Sequence, residues 1–119
     1  MIIEREKLAT ILIEAHERGH NAAMNADVQM IRSKEYDGRL SDEFPICGVA
    51  GLNVDGVRGK ALAEFKRRGF KKVSDGRQYL TLRVGDYDQS YDMKRSYAVE
   101  YVRTLKENGF DAYAWHSIY

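Results

Sequence analysis

At 119 residues the chain is long enough for one hydrophobic core and too short for two, so a single domain is expected. Its 44% hydrophobic and 31% charged content is that of an ordinary globular protein, and a formal net charge of +1 excludes a global pull towards nucleic acid, membranes or acidic partners. Any electrostatic role therefore falls to local patches. Cys47 is alone, which rules out an internal disulfide. The charged start Met1–Lys7 has no apolar run of the secretory kind, and no stretch reaches the about eighteen apolar residues of a membrane span. These features read as a cytoplasmic protein that makes no membrane contact.

From Glu4 to about Lys34 the pattern is helical, with Leu8, Leu12, Ala15, Gly19, Ala22, Ala26 and Met30 stepping along one face. The N-terminal segment 1–36 is thus one long helix, or two if Gly19-His20-Asn21 breaks it. Glycine costs roughly 1 kcal/mol against alanine inside a helix. The small seam Ala15/Gly19/Ala22/Ala26 lets a second backbone approach closely, either within this molecule or in a homodimer.

Asp37-Gly38 marks a turn, and Phe44 to Ala50 reads as the first strand, with Pro45 near its start. Gly48, Gly51, Gly56 and Gly59 then suggest a flexible approach to a helix whose buried stripe is Val57, Ala61, Leu62 and Phe65. Gly69 ends that helix, Phe70 to Val73 forms a strand, and Asp75-Gly76 is a hairpin turn. Arg77 to Val84 alternates, placing Leu80, Leu82 and Val84 on one face and Tyr79, Thr81 and Arg83 on the other. After an acidic loop, a second helix buries Tyr97, Ala98, Tyr101, Val102 and Leu105 and stops at Gly109. A last strand follows, with Ala112 and Ala114 opposite Tyr113 and Trp115.

The order over residues 44–119 is strand, helix, strand, strand, helix, strand. That predicts an α+β fold with a ferredoxin-like βαββαβ sheet carrying two helices on one face. Within it a unit is written twice: Ala63-Glu64-Phe65-Lys66-Arg67-Arg68-Gly69-Phe70, and Leu105-Lys106-Glu107-Asn108-Gly109-Phe110 leading into Asp111-Ala112-Tyr113. Together with Leu82-Arg83-Val84-Gly85 between them, these stretches resemble the SPOR domain, a module that binds bare glycan strands of bacterial peptidoglycan. The resemblance covers roughly the C-terminal half and implies a sheet backed by two helices and a glycan ligand.

His16-Glu17-Arg18-Gly19-His20 matches H-E-x-x-H, which on a helix would set two histidines one turn apart to hold zinc, with Glu17 activating a water. Arg18 and Gly19 sit poorly in such a helix, and a third ligand must come from His116, Glu35 or Asp37. The alternative is a solvated pair at a helix end, so neither metal nor cofactor is expected. Asp86 to Asp92 begins like a calcium loop but lacks the glycine and the terminal glutamate, and Ser90 or Asp92 instead suits a helix cap. Gly56-Val57-Arg58-Gly59-Lys60 lacks the hydroxyl of a phosphate loop.

Lys66, Arg67, Arg68, Lys71 and Lys72 form a local basic cluster, in part explained by the helix dipole. Tyr79, Arg83, Tyr113 and Trp115 project from the sheet face opposite the two repeat helices, where they would stack on bases or sugars if exposed. The small-residue seam favours the other arrangement, in which the N-terminal helix covers that face and Tyr113 and Trp115 pack against it. No nucleophile–base pair emerges, so catalysis is not expected. The chain reads as a small binding or regulatory protein that occupies a macromolecular partner, such as a compact inhibitor of the kind mobile genetic elements encode. A protein partner is favoured over nucleic acid or glycan. A SPOR-like glycan module and a minimal zinc hydrolase are the alternatives.

Overall fold

In the computed structural model, residues 4–32, 34, 38, 40–88 and 90–118 are described. Helix α1 (Arg5–Met24) is followed by the short strands β1 (Met30–Ile31) and β2 (Phe44–Pro45), which pair antiparallel. The remainder runs β3 (Gly48–Asp55), α2 (Lys60–Arg67), β4 (Lys71–Ser74), β5 (Gln78–Arg83), α3 (Tyr91–Glu107) and β6 (Asp111–Ile118). The four longer strands form one antiparallel sheet in the order β4-β5-β3-β6.

The expected glycine-rich connector is in fact the central strand. Across Gly48–Asp55 the side chains of Ala50, Leu52 and Val54 are fully buried on the helical side, while Asn53 and Asp55 stand half-buried on the other. Glycine is required there because neighbours lie on the backbone. A Cβ on Gly51 would come within 2.3 Å of Trp115 Cζ2, and one on Gly48 within 2.6 Å of Tyr91 Cδ1. The predicted strand 44–50 thus splits: Phe44–Pro45 joins the small ribbon and the sheet begins at Gly48.

The twice-written unit has one geometry. Gly69 (φ +98°) and Gly109 (φ +85°) each end a helix in the left-handed conformation that glycine tolerates. The Phe70 N–H donates to Phe65 O at 3.2 Å and the Phe110 N–H to Leu105 O at 3.0 Å, satisfying carbonyls the helix leaves open. The two phenylalanines then converge: the Phe65 ring meets Phe70 at 5.1 Å and Phe110 at 5.4 Å, both edge-on. Both helices thereby clamp the same face of the sheet, over Ala50, Leu52, Val54, Leu80 and Ala112.

α1 is continuous through Gly19 and ends at Met24, short of the predicted limit near Lys34; Asn25 closes it, with Nδ2 donating to Asn21 O at 2.8 Å. It does not cover the second sheet face. It packs along α3 and more briefly against α2, with no comparable contact to any strand. Leu8, Leu12 and Ala15 are fully buried there. Gly19 is neither a break nor a free seam, because a Cβ on it would sit 3.0 Å from Tyr97 Cδ2 and 3.1 Å from Tyr97 O. Gly19 is thus taken by α3 and Ala15 is fully buried, so neither is left for a second copy.

Arg18 fastens the same contact from outside, reaching Glu107 at 2.8 Å and Glu100 at 3.1 Å on α3, with Glu14 of its own helix at 3.7 Å. The hydrogen bond from Arg18 holds the Glu107 carboxyl below its ordinary value and, with it, raises the Arg18 guanidinium. A carboxylate lowered in the folded state contributes stability above its unfolded pKa and loses it as pH falls through the folded one. Arg18→Gln is therefore expected to lower the melting temperature near neutral pH. That deficit should shrink as the pH falls through the carboxylate range below about 4, which thermal melts of both proteins across the acid limb will measure.

Candidate binding surface on the open sheet face

With α1 on the helical layer, no helix among the described residues covers the face of the sheet away from α2 and α3. Strand register sets them in rows. Val73, Tyr79, Asp55 and Asp111 lie across the sheet in one row, then Lys71, Thr81, Asn53 and Tyr113, then Arg83, Gly51 and Trp115. Tyr79, Tyr113 and Trp115 are half-buried, and Lys71 and Arg83 are exposed.

The rings are held in place. The Trp115 indole lies over Gly51, filling the space a side chain there would take, and its Nε1–H donates to Asn53 Oδ1 at 3.0 Å. Asn53 Nδ2 in turn donates to the Tyr113 hydroxyl at 3.2 Å, which also accepts from Arg77. The Arg77 guanidinium sits 5.0 Å from the Tyr79 ring centre and 5.5 Å from that of Tyr113, in range for a cation–π contact with each. It also reaches Asp55 Oδ2 at 3.6 Å. The Tyr79 hydroxyl donates to Asp75 Oδ2 at 3.1 Å, and desolvation followed by this bond raises its pKa, so the phenol stays neutral. Asp55 Oδ1 is buried and has no hydrogen-bond partner. The surface thus combines fixed aromatic rings with charges of both signs and one unmet acceptor.

The structure divides the sequence-predicted contact residues. Lys71, Tyr79, Arg83, Tyr113 and Trp115 share the open face, whereas Lys72 opposes Leu80 and belongs to the helical side. Lys66, Arg67 and Arg68 lie exposed at the end of α2, also on that side. The basic cluster and the aromatic face are therefore separate surfaces. Gly51, Asn53, Asp55 and Arg77 are additions. The first three follow from the period-two alternation of Ala50, Leu52 and Val54 only once Gly48–Asp55 is known to be a strand; Arg77 was hidden by its place beside the hairpin turn.

The histidines of the H-E-x-x-H stretch do stack on α1, ring centres 6.4 Å apart, but each is engaged by a tyrosine. His16 Nδ1 shares a 2.6 Å hydrogen bond with the Tyr97 hydroxyl and His20 Nδ1 a 2.8 Å bond with that of Tyr87. His116, the expected third ligand, is bonded through Nδ1 to Tyr91 at 2.7 Å, and Glu35 and Asp37 lie outside the described residues. Among the described residues no three His, Cys, Asp or Glu side chains are grouped to hold a metal. In the acidic loop Ser90 caps α3, accepting from the Met93 N–H at 3.3 Å, while Asp92 accepts from the Gln29 N–H at 2.9 Å. Among the described residues no helix is long and apolar enough to cross a membrane.

Comparison with known proteins matches this chain to no protein family, no curated protein and no solved structure.

The dependence of the aromatic face on Gly51 is directly testable. Gly51→Val is expected to displace the indole, move the emission of this single tryptophan to the red and cost about 1–3 kcal/mol in urea unfolding. An unchanged spectrum would mean the ring does not lie there.

Proposed function

We propose that this chain is a small non-catalytic binding or regulatory protein that occupies the surface of a macromolecular partner with its open sheet face, and that the partner is a protein. The observation that carries this reading is the uncovered row-by-row array of Tyr79, Tyr113 and Trp115 with Arg77 and Arg83. Tryptophan, tyrosine and arginine are the residues that supply most of the energy at protein interfaces. Rings held by Asn53, Arg77 and Gly51 lose little freedom on docking, which favours affinity.

Charge favours a protein over a polyanion. Lys71, Arg77 and Arg83 share the face with Asp55 and Asp111, and the whole chain is at +1. Nucleic-acid surfaces are far more uniformly positive. The buried, unpartnered Asp55 Oδ1 is an acceptor that a partner's donor would satisfy. Action by occupation makes an inhibitor the simplest biological role, and a cytoplasmic setting is part of the same reading.

The element order β3-α2-β4-β5-α3-β6 and the sheet order β4-β5-β3-β6 support the ferredoxin-like arrangement. That arrangement keeps the SPOR-like glycan reading as the second choice, since an indole over glycine also suits a sugar ring. The two are separated by one pair of experiments. With a protein partner, Trp115→Ala and Arg83→Ala weaken a stoichiometric complex about tenfold or more, and hydrogen exchange slows in β3, β5 and β6 on binding. Retention on denuded peptidoglycan, with no protein complex sensitive to these substitutions, would instead favour the glycan. Loss of the complex on changing Arg67 and Arg68 alone would place the interface on the opposite surface and contradict the proposal.

A further inference from the structure

On the helical side, far from the aromatic face, a cleft of about 270 Å³ opens where the three helices meet. It is lined by Leu12 and His16 of α1, Arg67 and Arg68 at the end of α2, and Tyr97 and Tyr101 of α3. Its polar lining is made of nitrogen donors and phenol hydroxyls, without a carboxylate. Its volume lies just below the range of about 300–1,000 Å³ usual for drug-sized ligands, which suits a small one.

The floor of this cleft presents a hydroxyl. Tyr101 is only 2% exposed as a residue, but its hydroxyl, which has no hydrogen-bond partner among the described residues, is not sealed in and lies at the cleft surface. Desolvation pushes its pKa up, so it stays a neutral donor. At the rim, Arg68 makes no ion pair with the described residues, and Arg67 reaches Glu64 only at 3.8 Å. His16 uses Nδ1 on the Tyr97 hydroxyl at 2.6 Å, which leaves Nε2 as the ring nitrogen available to the cleft. The dipole of α2 favours basic residues at its C-terminus, and the phenol hydroxyl beneath them adds a neutral donor to the same cleft.

We propose that this cleft binds a phosphate-type oxyanion carried on a small molecule. The two guanidinium groups would supply the forked, charge-assisted bonds such an anion prefers. The Tyr101 hydroxyl would donate from below, and His16 would close the α1 side. Because its lining comes from α1, α2 and α3, the ligand would also brace α1 against the core. The inference stands on residues separate from the sheet face and does not depend on what binds there.

The test is a titration of the full chain with inorganic phosphate at constant ionic strength, followed by amide NMR shifts, with glycerol 2-phosphate as the ester probe. Saturable shifts at Arg67, Arg68 and Tyr101 are expected, with the ester binding at least as tightly as phosphate itself. Tyr101→Phe keeps the ring and removes only the hydroxyl. It and the surface change Arg68→Gln should each weaken binding about tenfold or more. Trp115→Ala should leave phosphate binding unaltered, which keeps this result distinct from the fate of the sheet-face proposal. Shifts that rise without saturating, equal affinity in both cleft variants, or an ester that binds more weakly than phosphate would overturn the inference.

Discussion

The close approach of α1 to α3 is the contact on which the rest of this molecule depends. Gly19 lets the two backbones come together until the Tyr97 ring and carbonyl oxygen lie within about a Cβ's reach of it. Around that point His16 bonds Tyr97, and Arg18 crosses to Glu100 and Glu107. Burial of Leu8, Ile11 and Leu12 provides the apolar driving force, and the small residues set the distance at which it acts. A helix committed in this way has no apolar face left for the sheet. The aromatic surface is open because α1 is engaged elsewhere.

A second constraint organises the sheet. Phe65 receives Phe70 and Phe110, one from each copy of the helix–glycine–phenylalanine unit, so two local turns are tied into one core. The repeat therefore has a structural reason independent of any ligand. Each glycine supplies the left-handed residue that returns the chain, and each phenylalanine lands in or against the buried cluster.

Much of this was legible because it is local. The alternation through Leu80, Leu82 and Val84, the Asp75-Gly76 turn and the glycine stops need only near neighbours to be read. The strand Gly48–Asp55 was obscured because its glycines answer to Trp115 and Tyr91, which are distant in sequence. Read locally, those glycines signal flexibility; in the fold they are sites of close packing. Gly19 misled in the same way, since its role is fixed by Tyr97 on another helix. The division of the basic and aromatic residues between two surfaces was also beyond local reading, because Lys66, Arg67 and Arg68 are set on the helical side by the packing of α2 on the sheet.

Two surfaces follow from one packing decision. Docking α1 on α3 leaves an aromatic, mixed-charge sheet face on one side and closes a nitrogen-lined cleft over Tyr101 on the other. Nuclear Overhauser contacts in the full chain test that decision most directly. Contacts are expected from Gly19 to the Tyr97 ring and none from α1 to the Trp115 indole. Contacts between α1 and the indole would put the helix across the sheet and contradict that docking.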